Sequence, residues 1–83
     1  MVKSTYEGRV NNVNNGTATL KLEGLEKEIT MASSGLKVGQ DVVLSRVRKR
    51  THLPTFEFDV YVLQEDGQQK YVRTIEPIPG VLK

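Results

Sequence analysis

The sequence predicts an all-β fold, an antiparallel barrel of five or six short strands. Apolar and polar residues alternate along most of the chain, and the period of two is that of half-buried strands. Asn-Gly and Asp-Gly pairs mark tight turns between these segments. A flat sheet of 83 residues would leave two edges unpaired, and closure into a barrel removes them. We expect one barrel domain over residues 1–76 and an irregular tail over residues 77–83, which hold two prolines and a glycine.

The first two strands form the clearest hairpin. Apolar or small residues alternate with polar ones from Tyr6 to Val10. Asn15-Gly16 follows, and this pair suits a two-residue hairpin turn because both positions tolerate positive φ. The return strand covers residues 17–22 with the same alternation.

The middle of the chain holds two further strands joined by a loop. Ile29 and Met31 mark the third strand, and residues 32–40 have two glycines and little periodicity. The fourth strand runs from about Asp41 to Lys49. Its apolar residues do not share one parity, which indicates a bulge or burial on both faces.

The fifth strand has the strongest alternation in the chain. Its two faces are Phe56, Phe58, Val60 and Val62 on one side, and Glu57, Asp59, Tyr61 and Leu63 on the other. Asp66-Gly67 then predicts a turn, and residues 71–75 predict a sixth strand. Simple alternation places Tyr71 and Arg73 on one face of that strand.

Composition argues against several functions. The chain has no cysteine, so disulfides, thiolate metal sites and thiol nucleophiles are excluded. Its one histidine, His52, has no partner for a protein-only metal site, and no phosphate-binding glycine motif is present. We expect no enzyme activity, no cofactor and no bound metal. The N-terminus lacks the apolar core of a signal peptide, so we expect a cytoplasmic protein without a membrane segment.

The sharpest functional signal is the run from Arg46 to His52, which has four cations and no acid. Residues 1–45 carry five bases and five acids, whereas residues 46–83 carry seven and five, so this run accounts for the whole net charge of +2. The four cations are Arg46, Arg48, Lys49 and Arg50. Strand alternation puts the three arginines on one face, about 6.5–7 Å apart, close to the phosphate repeat of an extended nucleic-acid strand.

Two interpretations of this run stay open. The arginines could bind phosphate, which their bidentate geometry favours. They could instead pair with Glu57 and Asp59 on the next strand, since opposite charges on neighbouring strands commonly stabilise a sheet.

Two segments resemble the RNA-binding OB-fold domains of ribosomal proteins and initiation factors, and the related TRAM domains. Residues 6–10 and 16–23 are similar to the first hairpin of those domains, and residues 36–44 to the entry into their fourth strand. The resemblance implies an OB-like barrel, with an SH3-like barrel as the alternative. That family usually presents aromatic residues on the outer face of its second and third strands, and this chain has none there.

We therefore expect a module that binds single-stranded RNA or DNA mainly through phosphate, with no small-molecule substrate. The predicted contacts are Arg46, Arg48, Lys49 and Arg50, with added charge from Arg9 and Arg73 and base stacking on Tyr61 or Tyr71. The alternative is a protein-interaction or assembly module that uses a sheet edge or the tail to recruit a partner or form a homo-oligomer.

Overall fold

The computed structural model describes residues 4–49 and 55–82 and has six strands there. The strands are β1 (Thr5–Asn14), β2 (Thr17–Leu22), β3 (Ile29–Ala32), β4 (Asp41–Arg48), β5 (Phe56–Leu63) and β6 (Gln69–Ile75). They form one antiparallel sheet in the order β3-β2-β1-β4-β5-β6, which curls into a half-barrel. The predicted all-β class and the six strands are confirmed. Because β4 returns to lie beside β1, the first four strands have the order of a Greek key.

The first hairpin has the predicted turn. Asn15 and Gly16 adopt φ values of 51° and 77°, and Asn14 pairs with Thr17. Farther along this pair Gly8 is required by close packing, since a Cβ atom there would lie 2.2 Å from the carbonyl oxygen of Lys21. The sequence thus specifies both the turn and the close approach of β1 to β2.

The core lies on the concave side of the sheet. Its fully buried side chains come from β1, β2, β4, β5 and the C-terminal segment, and the largest are Phe58, Leu20, Leu22, Leu44 and Leu82. Tyr6 packs edge-on against Phe58 with ring centroids 6.0 Å apart. The apolar face predicted for β5 is therefore the inner face of the sheet.

β4 is regular and has apolar residues on both faces. It pairs with β5 from Val42 to Arg48 and with β1 without a register shift. Val43 and Val47 are half-buried on the outer face, opposite to the core. Of the two alternatives, burial on both faces is confirmed and a bulge within these pairings is not.

β6 contains a bulge that the sequence did not reveal. Tyr71 pairs with Tyr61, but Arg73 pairs with Val60, because the register shifts by one residue at Val72. Tyr71 therefore lies on the outer face and Arg73 on the inner one, so their prediction on one face is wrong. Arg73 then reaches across the half-barrel and donates to the carbonyl oxygen of Ser34, in the loop after β3.

The C-terminal segment folds back over one end of the half-barrel. Ile78 and Leu82 exchange two backbone hydrogen bonds of 2.8 Å, and Leu82 is 0% exposed. Ile78 and Val81 pack against the core beside it. Within residues 4–49 and 55–82 there is no helix long and apolar enough to cross a membrane.

Candidate nucleic-acid interface

The register of β4 with β5 decides where the basic run points. Arg46 lies opposite Phe58 and Arg48 opposite Phe56. Directly opposed residues of an antiparallel pair project from the same face, so both arginines project from the inner face of the sheet. Val42 and Leu44, which are buried, precede them on that face.

The acids of β5 lie on the other face. Glu57 is opposite Val47, and Asp59 is opposite Ser45. The interpretation in which Glu57 and Asp59 neutralise the arginines is therefore wrong for Arg46 and Arg48. The reason is that side chains alternate between the two faces of a strand. The inner-face residues of β4 and the phenylalanines of β5 have even numbers, whereas the two acids have odd numbers.

Arg46 is half-buried where the core ends. Its guanidinium carbon lies 3.9 Å from the ring centroid of Phe56, the geometry of a cation–π contact. Its Nε is buried and has no hydrogen-bond partner in the described part of the chain. The stacked guanidinium is thus held in place and keeps a donor unsatisfied.

Arg48 and Lys49 differ in their surroundings. The Arg48 side chain is exposed, and the structure gives it no ion pair with any described residue. The Nζ atom of Lys49 donates to both carboxylate oxygens of Glu76, at 2.5 and 2.6 Å. Sequence reasoning missed this partner, which lies 27 residues away and follows β6 directly. Arg50 and His52 lie outside the described residues.

A cleft of about 590 Å³ lies between the side chains of Arg46, Lys49 and Phe56 and the C-terminal segment. Its lining residues are Arg46, Lys49, Thr55, Phe56, Glu76, Pro77, Pro79, Gly80 and Leu82. The walls combine an aromatic ring and proline rings with two cations and the carboxylate of Glu76, a lining of net positive charge that suits a flat, anionic group. Arg46, Arg48 and Lys49 beside this cleft are called the basic end below.

The two remaining arginines of the predicted site lie elsewhere. Arg9 is on the outer face, where its Nε lies 3.0 Å from Asp41 and both side chains are exposed. Arg73 donates to the Ser34 carbonyl, and its buried Nε has no partner among the described residues. The structure therefore does not bring Arg9 or Arg73 to the basic end.

The two tyrosines of the predicted site form a pair on the outer face. The rings of Tyr61 and Tyr71 meet edge-to-face with centroids 5.9 Å apart. They share that face with Asp59, while the arginines of β4 project from the opposite one. A single extended strand of nucleic acid cannot contact both groups along one face of the sheet. The aromatic residue beside the arginines is Phe56, which alternation had indicated as a core residue.

No cluster of His, Cys, Asp or Glu in residues 4–49 and 55–82 could hold a metal ion. The described part of the basic end offers cations, an apolar cleft and one aromatic ring, which are groups for recognition.

Comparison with protein families, with curated proteins and with solved structures gave no match. The resemblance to OB-fold domains therefore stays a prediction.

Proposed function

We propose that the chain is a small OB-like barrel that binds single-stranded nucleic acid at its basic end. The observation that carries this proposal is the β4–β5 register, which turns Arg46 and Arg48 away from the acids of β5. Arg46 lines the cleft, and Arg48 is exposed two residues farther along the same face. A charged residue that is aimed at a cleft and left without an acid partner is available to a phosphate.

Topology supports the OB-like assignment. OB-folds are partly open Greek-key barrels, and the connection between their fourth and fifth strands is one of the loops that bind oligonucleotides. Here the first four strands have Greek-key order, and the basic run passes from the end of β4 into the connection to β5.

In the proposed binding mode, β4 contacts phosphate and the cleft holds a base. Exposed Arg48 contacts one phosphate, and Arg50 extends the charge along the sequence. Arg46 and Phe56 form a stacked platform against which one unpaired base packs inside the cleft. A duplex keeps its bases stacked on one another, so this mode favours single strands.

Fluorescence anisotropy with a labelled single-stranded oligonucleotide tests the proposal. We expect binding that weakens steeply between about 50 and about 200 mM salt, because phosphate contacts release counterions. Arg48→Gln should lower the affinity by about three- to tenfold and reduce the salt slope by about 1. Lys37→Gln, an exposed lysine of the loop between β3 and β4 and away from the cleft, is the matched control and should leave both nearly unchanged. No binding at low salt, or an affinity indifferent to salt, would contradict the proposal.

A further inference from the structure

The outer face of the sheet carries a row of side chains that the nucleic-acid site does not use. Glu7 of β1 lies opposite Val43 of β4, which lies opposite Tyr61 of β5, which lies opposite Tyr71 of β6. Val43 and Tyr61 are half-buried, and Tyr71 is 53% exposed. The row thus forms an apolar and aromatic band across β4, β5 and β6, with Glu7 of β1 at its end.

Hydrogen bonds fix the most exposed ring of this band. The Thr74 hydroxyl donates to Asp59 at 2.7 Å and lies 2.6 Å from the Tyr71 hydroxyl. A threonine hydroxyl has one hydrogen, so Tyr71 donates to Thr74 and Thr74 donates to Asp59. These two hydrogen bonds link the Tyr71 hydroxyl through Thr74 to the Asp59 carboxylate and so fix the orientation of the Tyr71 side chain.

The charges around the band are negative. Glu7, Glu57 and Asp59 project from this face, and none of them forms an ion pair within the described residues. On the same face, Arg9 is paired with Asp41, so that pair adds no net charge. Lys21, which lies opposite Arg9 on β2, donates to the backbone carbonyls of Leu25 and Glu26 and offsets one of the three acids. A protein with a net charge of +2 therefore presents a locally acidic surface here. The band and its acids, Glu7, Val43, Glu57, Asp59, Tyr61 and Tyr71, are called the tyrosine face.

We infer that the tyrosine face docks a cationic, partly apolar segment of a protein partner. Carboxylates without ion pairs beside the exposed ring of Tyr71 complement arginine, which pairs with the acids and stacks on the ring. Nucleic acid is disfavoured because the same carboxylates repel phosphate. A second copy of this chain docked face to face is disfavoured too, since it would set acids against acids.

The tyrosine face takes no part in the proposed nucleic-acid binding, and it lies on the opposite side of the sheet from the basic end. A basic protein attracted to the same nucleic acid has the charge that fits the tyrosine face. Such a partner would bind the nucleic acid itself while its cationic segment is docked on the tyrosine face.

A titration with two synthetic peptides of equal charge tests the inference, with backbone amide shifts as the readout. One peptide alternates arginine and leucine, and the other alternates lysine and serine. We expect the arginine–leucine peptide to bind more tightly and to shift amides of β4, β5 and β6 around Val43, Tyr61 and Tyr71. Equal binding of the two peptides, or shifts spread over all acidic positions, would overturn the inference.

Variants separate docking from general charge attraction. Tyr71→Ser should weaken binding of the arginine–leucine peptide by about tenfold, as for a central aromatic contact. Glu7→Gln combined with Glu57→Gln should weaken it by about two- to tenfold. Glu26→Gln combined with Glu65→Gln removes the same charge from exposed turns and should have little effect. An equal loss in both double variants would overturn the inference. Oligonucleotide affinity should persist in Tyr71→Ser, so failure of this inference and failure at the basic end are distinguishable.

Discussion

Arg46 lies at the boundary between the core and the cleft, with its guanidinium on the ring of Phe56 and a shielded Nε that no described residue satisfies. A shielded donor without a partner destabilises a fold, and an apolar side chain of similar size often fits such a position at least as well. The presence of a charge there is consistent with a ligand that binds the guanidinium.

The first prediction separates stability from binding at this residue. Arg46→Met should leave the free energy of unfolding within about 1 kcal/mol of the native value, or raise it, because it removes an unsatisfied donor and keeps the apolar contact. The same variant should lose oligonucleotide affinity. Urea unfolding and anisotropy measure the two effects, with exposed Arg48→Met as the control for stability. A loss of more than about 2 kcal/mol would assign Arg46 a structural role.

A second prediction concerns Glu76, because its carboxylate accepts hydrogen bonds from Lys49 at the rim of the cleft. Glu76→Gln should release Lys49 for phosphate and raise oligonucleotide affinity at low salt by about two- to fivefold. The matched variant Glu65→Gln removes the same charge from the β5–β6 turn, away from the cleft. If both variants raise the affinity equally, the effect is one of net charge and the Lys49–Glu76 pair has no specific role.

At the scale of elements, the C-terminal segment completes the core. Leu82 is among the largest fully buried side chains, and the turn from Ile78 to Leu82 covers the end of the half-barrel beside the cleft. Its apolar residues are therefore packed inward and are poorly placed to recruit a partner.

Leu82→Ala should accordingly lower the free energy of unfolding by about 2–5 kcal/mol, the usual result of removing a buried leucine side chain. Pro79→Ala, an exposed change in the same turn, is the control and should have a much smaller effect. Urea denaturation gives both values. A native-like stability for Leu82→Ala would show that the segment is a detachable tail.

Alternation predicted most of the elements because the inner face is built from residues two apart. The first hairpin could be read from Asn15-Gly16, and the core face of β5 from its phenylalanines and valines. The β6 bulge at Val72 could not be read, since nothing in the residues 71–75 distinguishes a shifted register from a regular one. The backbone pairing of Ile78 with Leu82 could not be read either, because it depends on the burial of Leu82 rather than on local preference.

Alternation along β4 could also have predicted part of the candidate site. The parity of Val42, Leu44 and Arg46 was visible in the sequence, and it would have placed the arginines on the core face. Half-buried Val43 and Val47 hid that signal by making β4 apolar on both sides. Arg9 and Arg73 were included for their charge, yet each has a partner that lies more than thirty residues away in the chain.

At the scale of the whole molecule, the sheet separates its charges. Its inner face ends in Arg46 and Arg48, and its outer face holds Glu57 and Asp59 with the paired tyrosines. The described residues thereby carry a positive end, which we propose binds nucleic acid, and a negative face, which we infer docks a protein. The strand register alone produces this separation.

Amide chemical-shift mapping with a single-stranded oligonucleotide tests that separation most directly. The account predicts shifts confined to the end of β4, the start of β5 and the C-terminal turn, around Arg46, Arg48, Phe56 and Gly80. Amides near Tyr61 should stay unchanged. Shifts centred on the tyrosine face, with none around Arg46 and Phe56, would contradict it.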